Sequence, residues 1–182
     1  LIKFTFVGKS GKRVSLDTEH PRCARVIKRC RELPGYRLFR YEAEDGSVKD
    51  VDSDDVNGYL REITGEDVTA KDFRTWGGSV LFARAARDVG SAASERETTR
   101  GMNLAVEAVS HMLGNTPAVC RSCYIHPALM DAYRDGELED LWSAAERAKS
   151  RAGLRRDEII LLAMLRALSR RKTRAHVKRA AA

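Results

Sequence analysis

The amino-acid sequence predicts a mainly α-helical fold with a small β-hairpin element, and three observations carry that expectation. Apolar residues recur at helical spacing over 20–33, 102–113 and 159–168. Helix stop and start signals separate such stretches: Pro34-Gly35, Gly114, and Thr116-Pro117 with proline at a first helical position. Only short runs read as strand, the first pair being rich in Phe, Val and Thr around Gly8-Lys9-Ser10-Gly11.

Taken in order, Ile2 to Leu16 is expected to form a hairpin with Lys9 at its tip. His20 to Leu33 places Cys23, Val26, Ile27 and Cys30 on one helix face, and the basic Arg22, Arg25, Lys28 and Arg29 suit phosphate contacts that fade with salt. Leu38 to Tyr41 and Val48 to Val51 flank the turn Asp45-Gly46 and predict a second small hairpin. Ser53 reads as the cap of a helix reaching about Ile63, and Thr69 as the cap of a longer one over Ala70 to Val89. Gly77-Gly78 inside that helix costs helix stability and points to close approach of another group.

Residues 90–99 read as a loop, followed by a buried stripe of Met102, Val106, Val109, Met112 and Leu113. A helix carrying Tyr124 is expected after Thr116-Pro117. From Gly136 onward the pattern is helical, with Leu138, Leu141 and Trp142 on one face. The expected division is one domain over 1–169 and a basic, frayed tail over 170–182.

Composition narrows the function. Of 182 residues, 33 are Lys or Arg against 26 Asp or Glu, a net charge of +7 that favours a polyanionic partner, nucleic acid ahead of a membrane surface. No apolar run approaches the roughly 20 residues of a transmembrane helix, and the first residues lack the features of a signal peptide. Cys23, Cys30, Cys120 and Cys123 are too sparse for a disulfide framework, so a reducing, cytoplasmic compartment is expected, with the protein associated with the nucleoid. Cys120-x-x-Cys123 has zinc spacing but no matching second pair, and His20, His111, His126 and His176 form no ligand set, so no metal is expected. The chain opens without Met inside a strand-like run, which is expected of a fragment of a longer protein.

Three segments occur in order: Phe6-Val7-Gly8-Lys9-Ser10-Gly11-Lys12, Lys71-Asp72-Phe73-Arg74-Thr75-Trp76-Gly77, and Gly114-Asn115-Thr116-Pro117-Ala118-Val119-Cys120-Arg121-Ser122-Cys123-Tyr124. Together they resemble the compact viral and bacterial branch of the type IB DNA topoisomerases, and the fold that implies is the catalytic domain shared by those enzymes and the tyrosine recombinases. The resemblance implies relaxation of supercoiled duplex DNA through a 3′-phosphotyrosyl intermediate, by a monomer, without ATP, metal or other cofactor. It implies Tyr124 as nucleophile, Lys9 as general acid toward the leaving 5′ oxygen, and Arg74 as the fork on the non-bridging phosphate oxygens. Asn115, nine residues before Tyr124, stands where many relatives carry histidine. An amide cannot donate a formal proton, so it would supply a hydrogen bond instead.

Lys71, Lys12, Ser53 and Arg121 are the further expected DNA contacts. A second family arginine would lie upstream of Leu1, together with a separate N-terminal domain, so the 182-residue chain is expected to cleave DNA more slowly than a longer parent. Two other readings compete: a tyrosine recombinase or integrase, which usually has histidine where Lys71 stands, and a non-catalytic DNA-binding module in which Tyr124 only packs. Outside the resemblance, Tyr124 would be an ordinary half-buried tyrosine and Arg74 an ion-pair partner of Asp72 or Glu66.

Overall fold

The Phe-, Val- and Thr-rich opening pairs with itself. The computed structural model describes residues 1–8, 11 and 13–180, without the side chains of 172 and 174–180. Strand β1 (Ile2–Val7) runs antiparallel to β2 (Arg13–Thr18), with Ile2 opposite Thr18 and Val7 opposite Arg13. Gly11, at φ 73°, donates its amide to the Gly8 carbonyl at 2.9 Å to close the turn, a conformation that glycine reaches without a Cβ clash. Lys9 and Lys12, the expected acid and DNA contact, lie outside the described residues.

Helix α1 (Pro21–Glu32) follows, and His20 caps it by accepting the Cys23 amide at 3.3 Å. The second hairpin forms as expected from β3 (Arg40–Glu42) and β4 (Val48–Asp50). Helix α2 (Ser53–Thr64) corrects the expected cap: Asp52, not Ser53, is the capping residue. Its carboxylate accepts the amides of Asp54 and Asp55 while Asp55 accepts the Asp52 amide, a reciprocal pairing open to Asp52 and not to Ser53, which has Val56 three residues on. Those bonds hold the Asp52 carboxyl below its ordinary range, and Ser53 becomes an exposed first helical residue.

The chain divides into two compact units, 1–70 and 71–182. Among the described residues of the first, Arg40 is the one that is buried, its guanidinium donating to the Pro34 carbonyl. A side chain on Gly35, at φ 121°, would collide with that guanidinium.

The second unit is helical. Helix α3 (Ala70–Val89, its first residue belonging to the first unit) and α4 (Glu95–Leu113) are followed by α5 (Pro117–Val119), which widens into a π turn over Cys120–Tyr124. Then come α6 (Pro127–Arg134), α7 (Leu138–Ala145) and α8 (Arg156–Ala180). Helix α8 runs unbroken across the stretch from Arg170 that reads as a tail. The core gathers Phe82, Val106, Val109, Leu129, Leu161 and Met164, all fully buried.

Three details depart from expectation. The loop over 90–99 is shorter, because Ser94 caps α4 by accepting the Glu97 amide at 3.3 Å while Glu97 accepts the Ala93 amide at 3.1 Å. Ser94→Ala is expected to lower stability by about 1 kcal/mol, read as a shift in the denaturation midpoint. Met112 does not belong to the buried stripe, being 70% exposed. Adjacent helical residues point about 100° apart, so the row through Met102, Val106 and Val109 continues into half-buried Leu113 and leaves Met112 aside. Finally, Tyr124 ends a π turn, where a regular helix is expected.

Candidate active site

A helix stop and a helix start position the tyrosine segment. Gly114, at φ 65°, ends α4 in a left-handed conformation, and its amide bonds the Ser110 carbonyl. Thr116 then caps α5 by accepting the Val119 amide at 3.3 Å, with Pro117 at the first helical position. The π turn that follows sets the Tyr124 backbone against α3. Cys120, fully buried, anchors the start of that turn, and burial pushes its thiol up against the opposing pull of the Arg74 guanidinium.

Arg74 links the segments. Its guanidinium carbon lies 4.9 Å from the centroid of the Tyr124 ring, and its Nη2 donates to the Leu113 carbonyl at 2.8 Å. Asn115 Nδ2 donates to the same carbonyl at 3.0 Å. The last carbonyls of a helix lack partners within it, so the end of α4 offers an acceptor that both donors share. Arg74 thus joins Asn115 and Tyr124, residues up to 50 positions away in the chain, within the second unit. A cation over an aromatic face is attracted to the ring by about 0.5–2 kcal/mol, which fixes the guanidinium relative to the phenol.

The tyrosine-bearing backbone is also held. Thr75 Oγ1 lies 3.2 Å from the Cys123 carbonyl oxygen, and Ser79 Oγ accepts the His126 amide at 2.9 Å. A methyl group on Gly78 would overlap the Tyr124 carbonyl oxygen, which accounts for the close approach expected there, whereas Gly77 faces open space. Trp76 Nε1 donates to Glu158 at 3.0 Å, tying α3 to α8. The Arg155 amide and Trp76 together hold the Glu158 carboxyl below its ordinary range.

The match to known proteins decides the family. A family model described as eukaryotic DNA topoisomerase I, catalytic core, matches residues 1–152. The chain belongs to this DNA topoisomerase I family. It is also similar to DNA topoisomerase 1B of Acanthamoeba polyphaga mimivirus, 30% identical over 142 residues that cover 74% of this chain. The chain spans 42% of the length of that relative.

In this topoisomerase I core the expected residues are distributed unevenly. Tyr124, Arg74 and Asn115 cluster as described. Lys71, exposed, stands one turn before Arg74 on α3, and its carbonyl lies 3.1 Å from Thr75 Oγ1. Arg121, half-buried on the π turn, donates to Asn103 of α4 at 2.8 Å. Ser53 belongs to the first unit. Among the described residues no three His, Cys, Asp or Glu side chains gather as a metal site, the cysteines are free thiols, and no helix is long and apolar enough to cross a membrane. Thr75, Ser79 and the Leu113 carbonyl were not singled out from sequence. Thr75 lies inside a quoted motif, but a backbone carbonyl leaves no mark in a pattern of side chains.

Proposed function

We propose that this chain carries the DNA-cleaving centre of a type IB topoisomerase that relaxes supercoiled duplex DNA as a monomer in a DNA-bearing compartment. Tyr124 Oη attacks the scissile phosphorus, a bond from phosphorus to the tyrosine oxygen forms, and the bond to the 5′ oxygen breaks. The phenol gives its proton to solvent water, and the departing 5′ oxygen gains one from the Lys9 ammonium, which is left neutral. Religation runs the same step backward, so the bond energy is kept and no ATP is consumed. Arg74 offers a planar fork to the non-bridging oxygens as charge collects on them, and Asn115 adds an amide N–H. Lys71 contacts the same phosphate or its neighbour, while Lys12, Ser53 and Arg121 contact DNA elsewhere.

The observation that carries this reading is that Arg74 lies over the Tyr124 ring while sharing the Leu113 carbonyl with Asn115. A protein in which Tyr124 merely packs has no need of a guanidinium over the ring at a helix end already occupied by an amide.

The test uses an end-labelled duplex whose short leaving strand dissociates after cleavage, so that the covalent product accumulates. Incubated with chelator and no ATP, the 182-residue chain or a form extended upstream is expected to yield an adduct that survives denaturing electrophoresis and maps to Tyr124. Plasmid relaxation without exchange of strands between duplexes then separates a topoisomerase from a recombinase. Salt-sensitive binding with no adduct from either form would reduce the protein to a DNA-binding module.

A further inference from the structure

We propose that one stripe of α3, formed by Thr75, Gly78 and Ser79, positions the nucleophile by templating the backbone that carries Tyr124. The inference rests on the reading of Tyr124 as the nucleophile.

A π turn is a wide turn of poor intrinsic stability, and this one has no side-chain cap at its start. Something outside it must set where its last residue stands. Residues 75, 78 and 79 stand at i, i+3 and i+4 and so share one face of α3. That face meets successive points of one backbone run: Thr75 the carbonyl of Cys123, Gly78 the carbonyl of Tyr124, and Ser79 the amide of His126. The single proton of the Thr75 hydroxyl is shared between the carbonyls of Cys123 and Lys71. Ser79 is 2% exposed, so its bond to His126 is shielded from water. Ile125, between the held positions, is extended and buried and locks the exit from the turn.

The template is itself rigid. Phe82, Ala83 and Ala86 seat α3 in the core, and the indole of Trp76 is fastened to Glu158. Arg74, adjacent to the stripe, lies over the phenol ring, so one helix sets both the phosphate grip and the path of the nucleophile. None of the three stripe residues needs to touch DNA. They act through Tyr124.

The experiment uses the longest form of the chain that gives the Tyr124 adduct and compares Thr75→Val, Thr75→Ser and Gly78→Ala. Four quantities are read: the single-turnover cleavage rate at saturating duplex, the religation rate, the duplex Kd, and the thermal midpoint. A misplacement of about 1 Å costs on the order of 100-fold in rate, the loss expected for Gly78→Ala. Thr75→Val, which removes one shared hydrogen bond, is expected to slow cleavage about tenfold. Thr75→Ser restores the hydroxyl and is expected to recover the parental rate within about threefold. Cleavage and religation should slow by the same factor, because both pass through one transition state, while Kd stays within about twofold.

Unchanged rates overturn the proposal. So does a loss that tracks Kd or the thermal midpoint, or a Thr75→Ser variant as slow as Thr75→Val. If Gly78→Ala does not fold, the Thr75 pair decides. A parent that forms no Tyr124 adduct overturns the reading of the site itself, an outcome distinct from a parent that cleaves and variants that cleave equally well.

Discussion

Tyr124→Phe is expected to abolish covalent capture of DNA while leaving duplex affinity within about twofold. The substitution removes one oxygen and keeps the ring, so the guanidinium of Arg74 retains an aromatic face 4.9 Å away and the π turn keeps its packing. Among the described residues, the hydroxyls of Ser122 and Thr75 are otherwise engaged. Ser122 Oγ turns back toward the Ala118 and Val119 carbonyls at 3.1 and 3.3 Å, and Thr75 Oγ1 is shared between two carbonyls. Affinity for duplex comes mainly from phosphate contacts, which the change leaves alone. Denaturing electrophoresis of the labelled duplex measures the adduct and salt-dependent binding measures the affinity. An adduct that persists in Tyr124→Phe would move the nucleophile to another residue.

Arg74→Lys is expected to reduce the cleavage rate by about 100- to 1000-fold at saturating DNA, with a much smaller change in affinity. Lysine preserves the charge but loses the planar fork, the guanidinium over the Tyr124 ring and the directed bond to Leu113. If Arg74 served only to hold the helix end, the lysine variant would lose some stability and little rate. A single-turnover rate within about threefold of the parent would remove Arg74 from the chemistry.

The elements legible in the sequence are those marked by local chemistry. Gly114, Thr116-Pro117 and the spacing of Val106 and Val109 mark the end of α4, the start of α5 and the buried face in the sequence itself. The chain of α3 from Ala70 to Val89 was equally plain. Where expectation failed, two signals competed at neighbouring positions. Asp52 and Ser53 are both good caps, and the reciprocal bond with Asp55 favours Asp52. Ser94 with Glu97 is a capping pair set in a stretch whose Ser and Ala content reads as loop.

At the site, Tyr124, Arg74 and Asn115 were marked by their motifs, and Gly78 by the oddity of two glycines within a helix. The π turn was not marked, because its sequence carries no feature that separates it from an α-helix. Its shape comes from tertiary contacts with α3. The acceptor shared by Arg74 and Asn115 was equally hidden, being main chain.

The shared acceptor gives α4 a length requirement. Because the Leu113 carbonyl is available only where the helix stops, the distance from the buried Gly101 to the Gly114 cap acts as a gauge for the whole centre. One residue inserted or deleted between them would turn everything that follows by about 100° and carry that oxygen away from α3. Substitutions on the outer face of α4 should therefore be tolerated in related chains, while changes in length should be confined to its N-terminal side, where 90–94 joins α3 to α4 and can absorb them.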